Sequence, residues 1–162
     1  MTRAIPFILY LLLIALHEVI TRDVTAISMS VINIAALIVL VVGIYKRELV
    51  VVWFGFAAGL VLVPERPDVL GWHALVLAAV GLATFHIRER FNLESLYSRL
   101  VLIFGGVLLH NVLVLMINGG HSLAHLCLVS ALPGAVYTAA IGWLFFLFKE
   151  GKITYRKIRS LF

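Results

Sequence analysis

Six histidines are the residues of this chain best suited to chemistry. His121 and His125 stand four apart, a spacing that sets two imidazoles on one helical face and within reach of one metal ion. No Glu follows His121 in the zinc-protease manner and no third ligand is adjacent, so the pair does not predict a metal centre. His110, Asn111 and Asn118 share one apolar run, where hydrogen bonding between helices is the favoured use of such groups. His17 and Glu18 close an earlier run, and Glu18 is spaced four residues from Arg22, as an ion pair on one helical face requires. His73 and His86 lie near opposite ends of a single run and form no cluster. Ser28, Ser30 and Ser130 have no base at a fixed spacing, and no strand–turn–helix context makes a nucleophile elbow. Gly105-Gly106 and Gly119-Gly120 are pairs inside or beside helices, not phosphate-cradling loops. These residues predict no catalytic, cofactor-binding or metal-binding set, and hence no enzyme.

The elements that position them are dictated by hydropathy. Of 162 residues, 63% are hydrophobic and 13% charged, against about half and a quarter in a soluble domain. A soluble fold this short cannot hide so much apolar surface, so lipid must cover the excess. The lone Cys127 excludes an intrachain disulfide. The net charge of +5 comes from basic residues at the ends of apolar runs, and no interleaved aromatic and basic surface points to nucleic acid. Only Arg3 precedes the first run, and His17, Glu18, Arg22 and Asp23 follow it where a signal peptide would show small residues, so a retained first helix is expected.

Charges divide the chain into six apolar runs: Ala4 to Thr21, Val24 to Tyr45, Leu49 to Val63, Val69 to Ile87, Leu100 to Ile117 and Leu123 to Phe148. The fold class expected is all-α, an integral membrane bundle of about six transmembrane helices over residues 1–148, followed by a basic cytoplasmic tail over 149–162. A span needs about 20 apolar residues, and the third run would reach only about 22 Å. A re-entrant hairpin of runs three and four is therefore the competing arrangement. With the N-terminus cytoplasmic, the inner segments carry Arg3, Lys46, Arg47, Arg88, Arg90, Arg99, Lys149, Lys152, Arg156, Lys157 and Arg159. Of the 13 basic residues, that leaves Arg22 and Arg66 outside, the asymmetry of the positive-inside rule. Both termini are thus placed on the cytoplasmic side. The inner loop from Arg88 to Arg99 is expected to form an interfacial helical turn, with Phe91, Leu93, Leu96 and Tyr97 toward lipid. The tail interleaves basic residues with Ile153, Tyr155, Ile158 and Leu161, a pattern for lying along an anionic leaflet.

Small residues supply the packing signals. Gly55 and Gly59 form a GxxxG, and Ala131, Ala135 and Ala139 repeat the small-xxx-small spacing on the last run. Both patterns let a second helix approach closely, either within the bundle or from a partner. Gly55, Gly59, Ala131 and Ala135 are the candidate partner-binding residues.

The middle of the chain resembles the MreD family of bacterial rod shape-determining membrane proteins. The likeness rests on Asn33-Ile34-Ala35-Ala36-Leu37, on a helix ending in Ile44-Tyr45-Lys46-Arg47-Glu48, and on Gly55-Phe56-Ala57-Ala58-Gly59-Leu60. A Pro-containing turn follows, then Leu70-Gly71-Trp72-His73-Ala74-Leu75 and a helix stopping at Arg88-Glu89-Arg90. Pro133-Gly134-Ala135-Val136-Tyr137-Thr138-Ala139-Ala140 is similar to the family's last-helix segment. The chain departs from the family at Val63, where an Asp is frequent. The resemblance implies a non-catalytic scaffold of the cell-elongation machinery in the bacterial inner membrane. It implies MreC as partner, with MreB, the glycosyltransferase RodA and a penicillin-binding transpeptidase alongside, and no cofactor. It also implies a fold similar to the six-helix substrate-binding subunits of energy-coupling vitamin transporters. A vitamin-binding subunit is accordingly the alternative, with His17, Trp72, His73, Asn118 and His121 as its polar and aromatic residues. Self-association stays open.

Overall fold

The computed structural model describes residues 5–25, 32–62, 67–91, 93, 95–117 and 123–150, with residues 21–25 and 67 described by backbone only. The described residues are helical throughout apart from short connections. The helices are α1 (Ile5–Thr25), α2 (Ile34–Tyr45), α3 (Glu48–Leu62), α4 (Pro67–Arg90), α5 (Leu96–Ile117) and α6 (Leu123–Lys149). Within α6, one α-helical turn, Leu123–Leu126, leads into a π-helical segment, Cys127–Ala131, before α-geometry resumes over Leu132–Lys149.

Local chemistry sets the helix ends. The Asn33 side chain accepts from the Ala36 N–H at 2.9 Å, an N-cap that starts α2 ten residues later than the apolar run alone suggests. Residues 26–31 of that run lie outside the described residues. α4 opens with Pro67, whose missing N–H costs nothing in a first turn, and Asp68 beside it faces the positive end of the helix dipole. Arg88 and Arg90 occupy its last turn. Ser95 caps α5 by accepting from the Ser98 N–H at 3.0 Å.

The six helices alternate in direction, as contacts at their ends show. At one end, Lys46 stands over the Phe7 ring of α1, and Arg88 donates to the Ile44 and Lys46 carbonyls at 3.0 and 2.9 Å. Arg99 meets Glu150 at 3.1 Å, and Lys149 sits 3.1 Å above the Tyr45 ring. The basic residues expected on the inner side thus collect at one end of the bundle wherever they are described. Arg88 also completes α2, because the last carbonyls of a helix have no partner within it.

α2 is the central helix: eight of its twelve residues are buried. Leu40, Val39, Val51, Leu77, Ile103, Val107 and Phe146 meet around it in one core. α3 and α4 form the most closely packed pair, and Gly55 and Gly59 are the reason. A Cβ added at Gly59 would lie 2.3 Å from Ala74 Cα, and one at Gly55 would lie 2.9 Å from Ala78 Cα. The partner surface expected on these glycines is therefore already filled by α4 of the same chain. Ala131 and Ala135 are buried as well, so all four candidate partner-binding residues face the interior.

The exterior is apolar. Ile8, Leu12 and Val19 on α1, Leu49 and Trp53 on α3, and Leu128 on α6 are all more than half exposed. Monomeric soluble proteins do not carry apolar faces of this extent, and such a surface is compatible with a membrane protein. Three helices are long and apolar enough to cross a bilayer: Asp68–Arg90, Leu96–Ile117 and Leu123–Lys149. The other three, Ile5–Ile20, Ile34–Tyr45 and Glu48–Leu62, are shorter apolar helices. The third run keeps the shortness expected of it, since α3 has 15 residues. The second differs more, because the Asn33 cap leaves only its last twelve residues to α2. The Arg88–Arg99 connection is also mixed: Phe91 and Tyr97 are exposed, whereas Leu93 and Leu96 pack on the core.

Candidate functional site

The end of the bundle opposite the basic residues holds a polar cavity of about 240 Å³. All six helices line it: His17 and Glu18 from α1, Asn33 at the head of α2, Leu62 at the end of α3, and His73 from α4. His110 and Asn111 come from α5, and Ser130 from the π-segment of α6. Helices that alternate in direction bring these distant residues to one level.

Asn33 organises the site. Its backbone N–H donates to Thr138 Oγ1 at 3.0 Å, and that hydroxyl donates onward to the Gly134 carbonyl at 2.7 Å. Its side-chain amide donates to His110 Nδ1 at 2.9 Å and to Asn111 Oδ1 at 3.2 Å. Asn111 in turn donates to the Ala131 carbonyl at 3.3 Å. One side chain thus caps α2 and ties it to α5, while its backbone ties α2 to α6.

The geometry fixes a tautomer. Asn33 Oδ1 accepts from a backbone N–H, which can only donate, so the amide nitrogen must be the atom facing His110. His110 Nδ1 is then an acceptor, and the neutral ring carries its proton on Nε2. That Nε2 is buried and meets no hydrogen-bond acceptor among the described residues. The 3.4 Å approach of His110 Nδ1 to Asn111 Oδ1 is two acceptors sharing the Asn33 amide, not a further bond. A buried donor left unmatched is costly, which makes the cavity a place for a hydrogen-bond acceptor such as water or a small oxygen-bearing molecule.

The π-segment shapes one wall. Leu132 N–H reaches back five residues to the Cys127 carbonyl, and Pro133 next to it has no N–H to give. A π-turn widens the helix and turns Ser130 and Ala131 toward the cavity.

The histidines named from sequence part company here. His17, His73 and His110 reach the cavity; His86 is exposed near the other end and bonded to the Leu82 carbonyl at 3.0 Å; His125 is exposed. His121, Asn118, Ser28, Ser30 and the Gly119-Gly120 pair lie outside the described residues, as does the side chain of Arg22. Among the described residues no three His, Cys, Asp or Glu side chains converge as a metal site would require. Ser130 shares the cavity with histidines, but no hydrogen bond joins it to one among the described contacts. The arrangement can bind and orient, and among the described residues it joins no nucleophile to a base by a hydrogen bond. Sequence reasoning missed Asn33 and Thr138 as site residues. An Asn directly ahead of an apolar stretch was the available signal for the first. Thr138, inside a helix, gave none. Comparison with protein-family models, with curated proteins and with solved structures finds no match to this chain.

Proposed function

We propose that the chain is a non-catalytic membrane scaffold of the MreD kind. On this reading it is a six-span bundle of the bacterial inner membrane with both termini cytoplasmic. It binds the transmembrane helix of MreC and supports the MreB, RodA and penicillin-binding transpeptidase assembly in wall elongation. The six-span arrangement draws support from the alternating helix directions and from the gathering of described basic residues at one end. α2 and α3, at 12 and 15 residues shorter than a bilayer, would be accommodated by thinning and by pairing with longer neighbours.

One observation carries the scaffold reading. The outer side of the α5–α6 pair bears an open apolar groove of about 360 Å³, with Ala139 and Ala140 as its floor and Val101, Phe104, Val136 and Trp143 as its walls. A small-residue floor between larger walls is what a ridge of another helix packs into. Unlike the Gly55–Gly59 face, this groove is unfilled by the described residues. The test is affinity purification from native membranes in mild detergent, with Ala140→Leu as the variant. Wild-type protein should recover MreC, and a folded Ala140→Leu protein should recover little. Wild-type eluate lacking MreC removes the reading; undiminished recovery by the variant moves the contact elsewhere.

A second reading, the vitamin-binding transporter subunit, is favoured by the polar cavity, which draws His17 and His73 together with Glu18, Asn33, His110, Asn111 and Ser130. Its size argues the other way, because small-molecule pockets run from about 300 to 1,000 Å³. Recovery of transporter ATPases in the same purification would establish it over the scaffold.

A further inference from the structure

A second groove, of about 400 Å³, runs along α2 between α1 and the C-terminal part of α6. Its walls are hydrocarbon and aromatic over most of its length: Leu13, Ile34, Ile38, Val41, Ile141 and Phe145. Its polar groups are confined to the ends of helices and consist chiefly of Tyr45, Lys46 and Lys149 at the basic end. From Ile34 to Lys46 the groove follows α2 for about 18 Å at 1.5 Å per residue. One leaflet of hydrocarbon is about 15 Å deep. A single acyl chain entering from the basic end therefore matches the groove in length and in polarity.

The basic end has charge to offer. Glu150 is bonded to Arg99 at 3.1 Å, and the Arg99 guanidinium also donates to the Tyr45 hydroxyl at 3.5 Å, adding a third cation beside the mouth, while no carboxylate lines the groove among the described residues. Lys149 rests on the Tyr45 ring and Lys46 leans toward Phe7, so both lysines that line the mouth are held by ring contacts and by no ion pair among the described residues. Contacts of that kind are weak at exposed sites and are exchanged readily for a phosphate.

We infer that this groove is a binding site for an anionic phospholipid of the leaflet at the basic end, with one acyl chain along α2 and the headgroup phosphate between Lys46 and Lys149. The inference rests on the membrane reading above but not on MreC. Phosphate oxygens would take the two ammonium groups and the Tyr45 hydroxyl, while the chain replaces solvent against Ile38, Val41 and Phe145. A zwitterionic lipid of the same chain length fills the same hydrocarbon slot with no net charge for the lysines.

Native mass spectrometry of the detergent-purified protein tests this, with phosphatidylglycerol and phosphatidylcholine of identical chains added in turn. Wild-type protein should retain phosphatidylglycerol with a roughly thirtyfold preference, the effect expected of two lysines at an anionic surface. Lys46→Gln with Lys149→Gln, both exposed and outside the core, should bring the two lipids to parity. Arg47→Gln, exposed but away from the groove, should leave the preference intact. Val41→Trp should lower retention of both lipids by filling the slot. Equal retention by wild-type protein, or a preference that survives loss of both lysines, overturns the site while leaving the membrane reading in place. A protein that stays monodisperse without any detergent overturns both.

Discussion

Two antiparallel helix pairs in this bundle use small residues and reach opposite ends. In α3–α4 the small residues are spent on each other: Gly55 and Gly59 bring the α3 backbone against Ala78 and Ala74, and no room for a side chain remains. In α5–α6 the inner side is joined to α2 through Asn33, His110, Asn111 and Thr138, and the small residues Ala139 and Ala140 are left as the floor of an outward groove. A small-xxx-small pattern is therefore a statement about backbone approach, and only the surrounding helices decide whether the approaching backbone belongs to the same chain.

The difference can be broken most forcefully at Gly59. Gly59→Leu puts a branched side chain where even a Cβ collides with backbone, and backbone cannot swing aside as a side-chain tip can. We expect a loss of roughly 3 kcal/mol or more, seen as aggregation or a collapsed thermal midpoint in detergent. A monodisperse Gly59→Leu protein would mean that the α3–α4 seam is looser than described. Asn33→Ala tests the other pair from within. It removes the α2 cap and strands two buried polar groups, which together amount to about 2–3 kcal/mol. A midpoint within a degree or two of wild type would show that Asn33 does not bind α2 to α5.

Smaller effects sharpen the contrast. Gly105 and Gly106 are neighbours on α5 with different surroundings: a Cβ at Gly106 would stand 2.5 Å from Leu40 Cδ2, whereas one at Gly105 meets nothing within 4 Å. Gly106→Ala should cost about 1 kcal/mol, since a leucine tip can yield. Gly105→Ala should gain about 0.5–1 kcal/mol from helix propensity. Equal shifts for the two, read as thermal midpoints side by side, would contradict the assigned inner and outer faces of α5. Ala140→Leu should change the midpoint least, by under 0.5 kcal/mol, because its side chain points into the open groove.

Much of the architecture was legible in the sequence. Charge clusters marked the turns at Lys46-Arg47-Glu48 and Arg88-Glu89-Arg90, and α3 and α5 follow the apolar runs closely at their C-terminal ends. Hydropathy averages over many residues and finds a buried stretch whatever its neighbours. It was blind to Asn33, one polar residue inside a long apolar run, whose cap shortens α2. It was equally blind to the cavity, whose members come from all six helices and are close only because those helices alternate in direction. The reading of Gly55 and Gly59 shows the same limit from the other side: spacing announced a close approach, and sequence could not say that α4 makes it. His17, His73 and His110 looked unrelated because 56 and 37 residues separate them along the chain.

The π-segment in α6 has a consequence for any reading of that helix by periodicity. Five residues, Cys127 to Ala131, complete a turn that an α-helix completes in about four, so the segment acts as a phase slip of one residue. Positions counted in threes and fours from His125 fall out of step by about 100° before they reach Thr138. Removing one residue between Cys127 and Ala131 should restore plain α-geometry and keep Thr138, Phe146 and Lys149 in their present azimuths, while rotating only the short turn at Leu123–Leu126. The same deletion made after Gly134 would rotate most of the helix away from α5. Tolerance to a missing residue should accordingly be confined to this one turn.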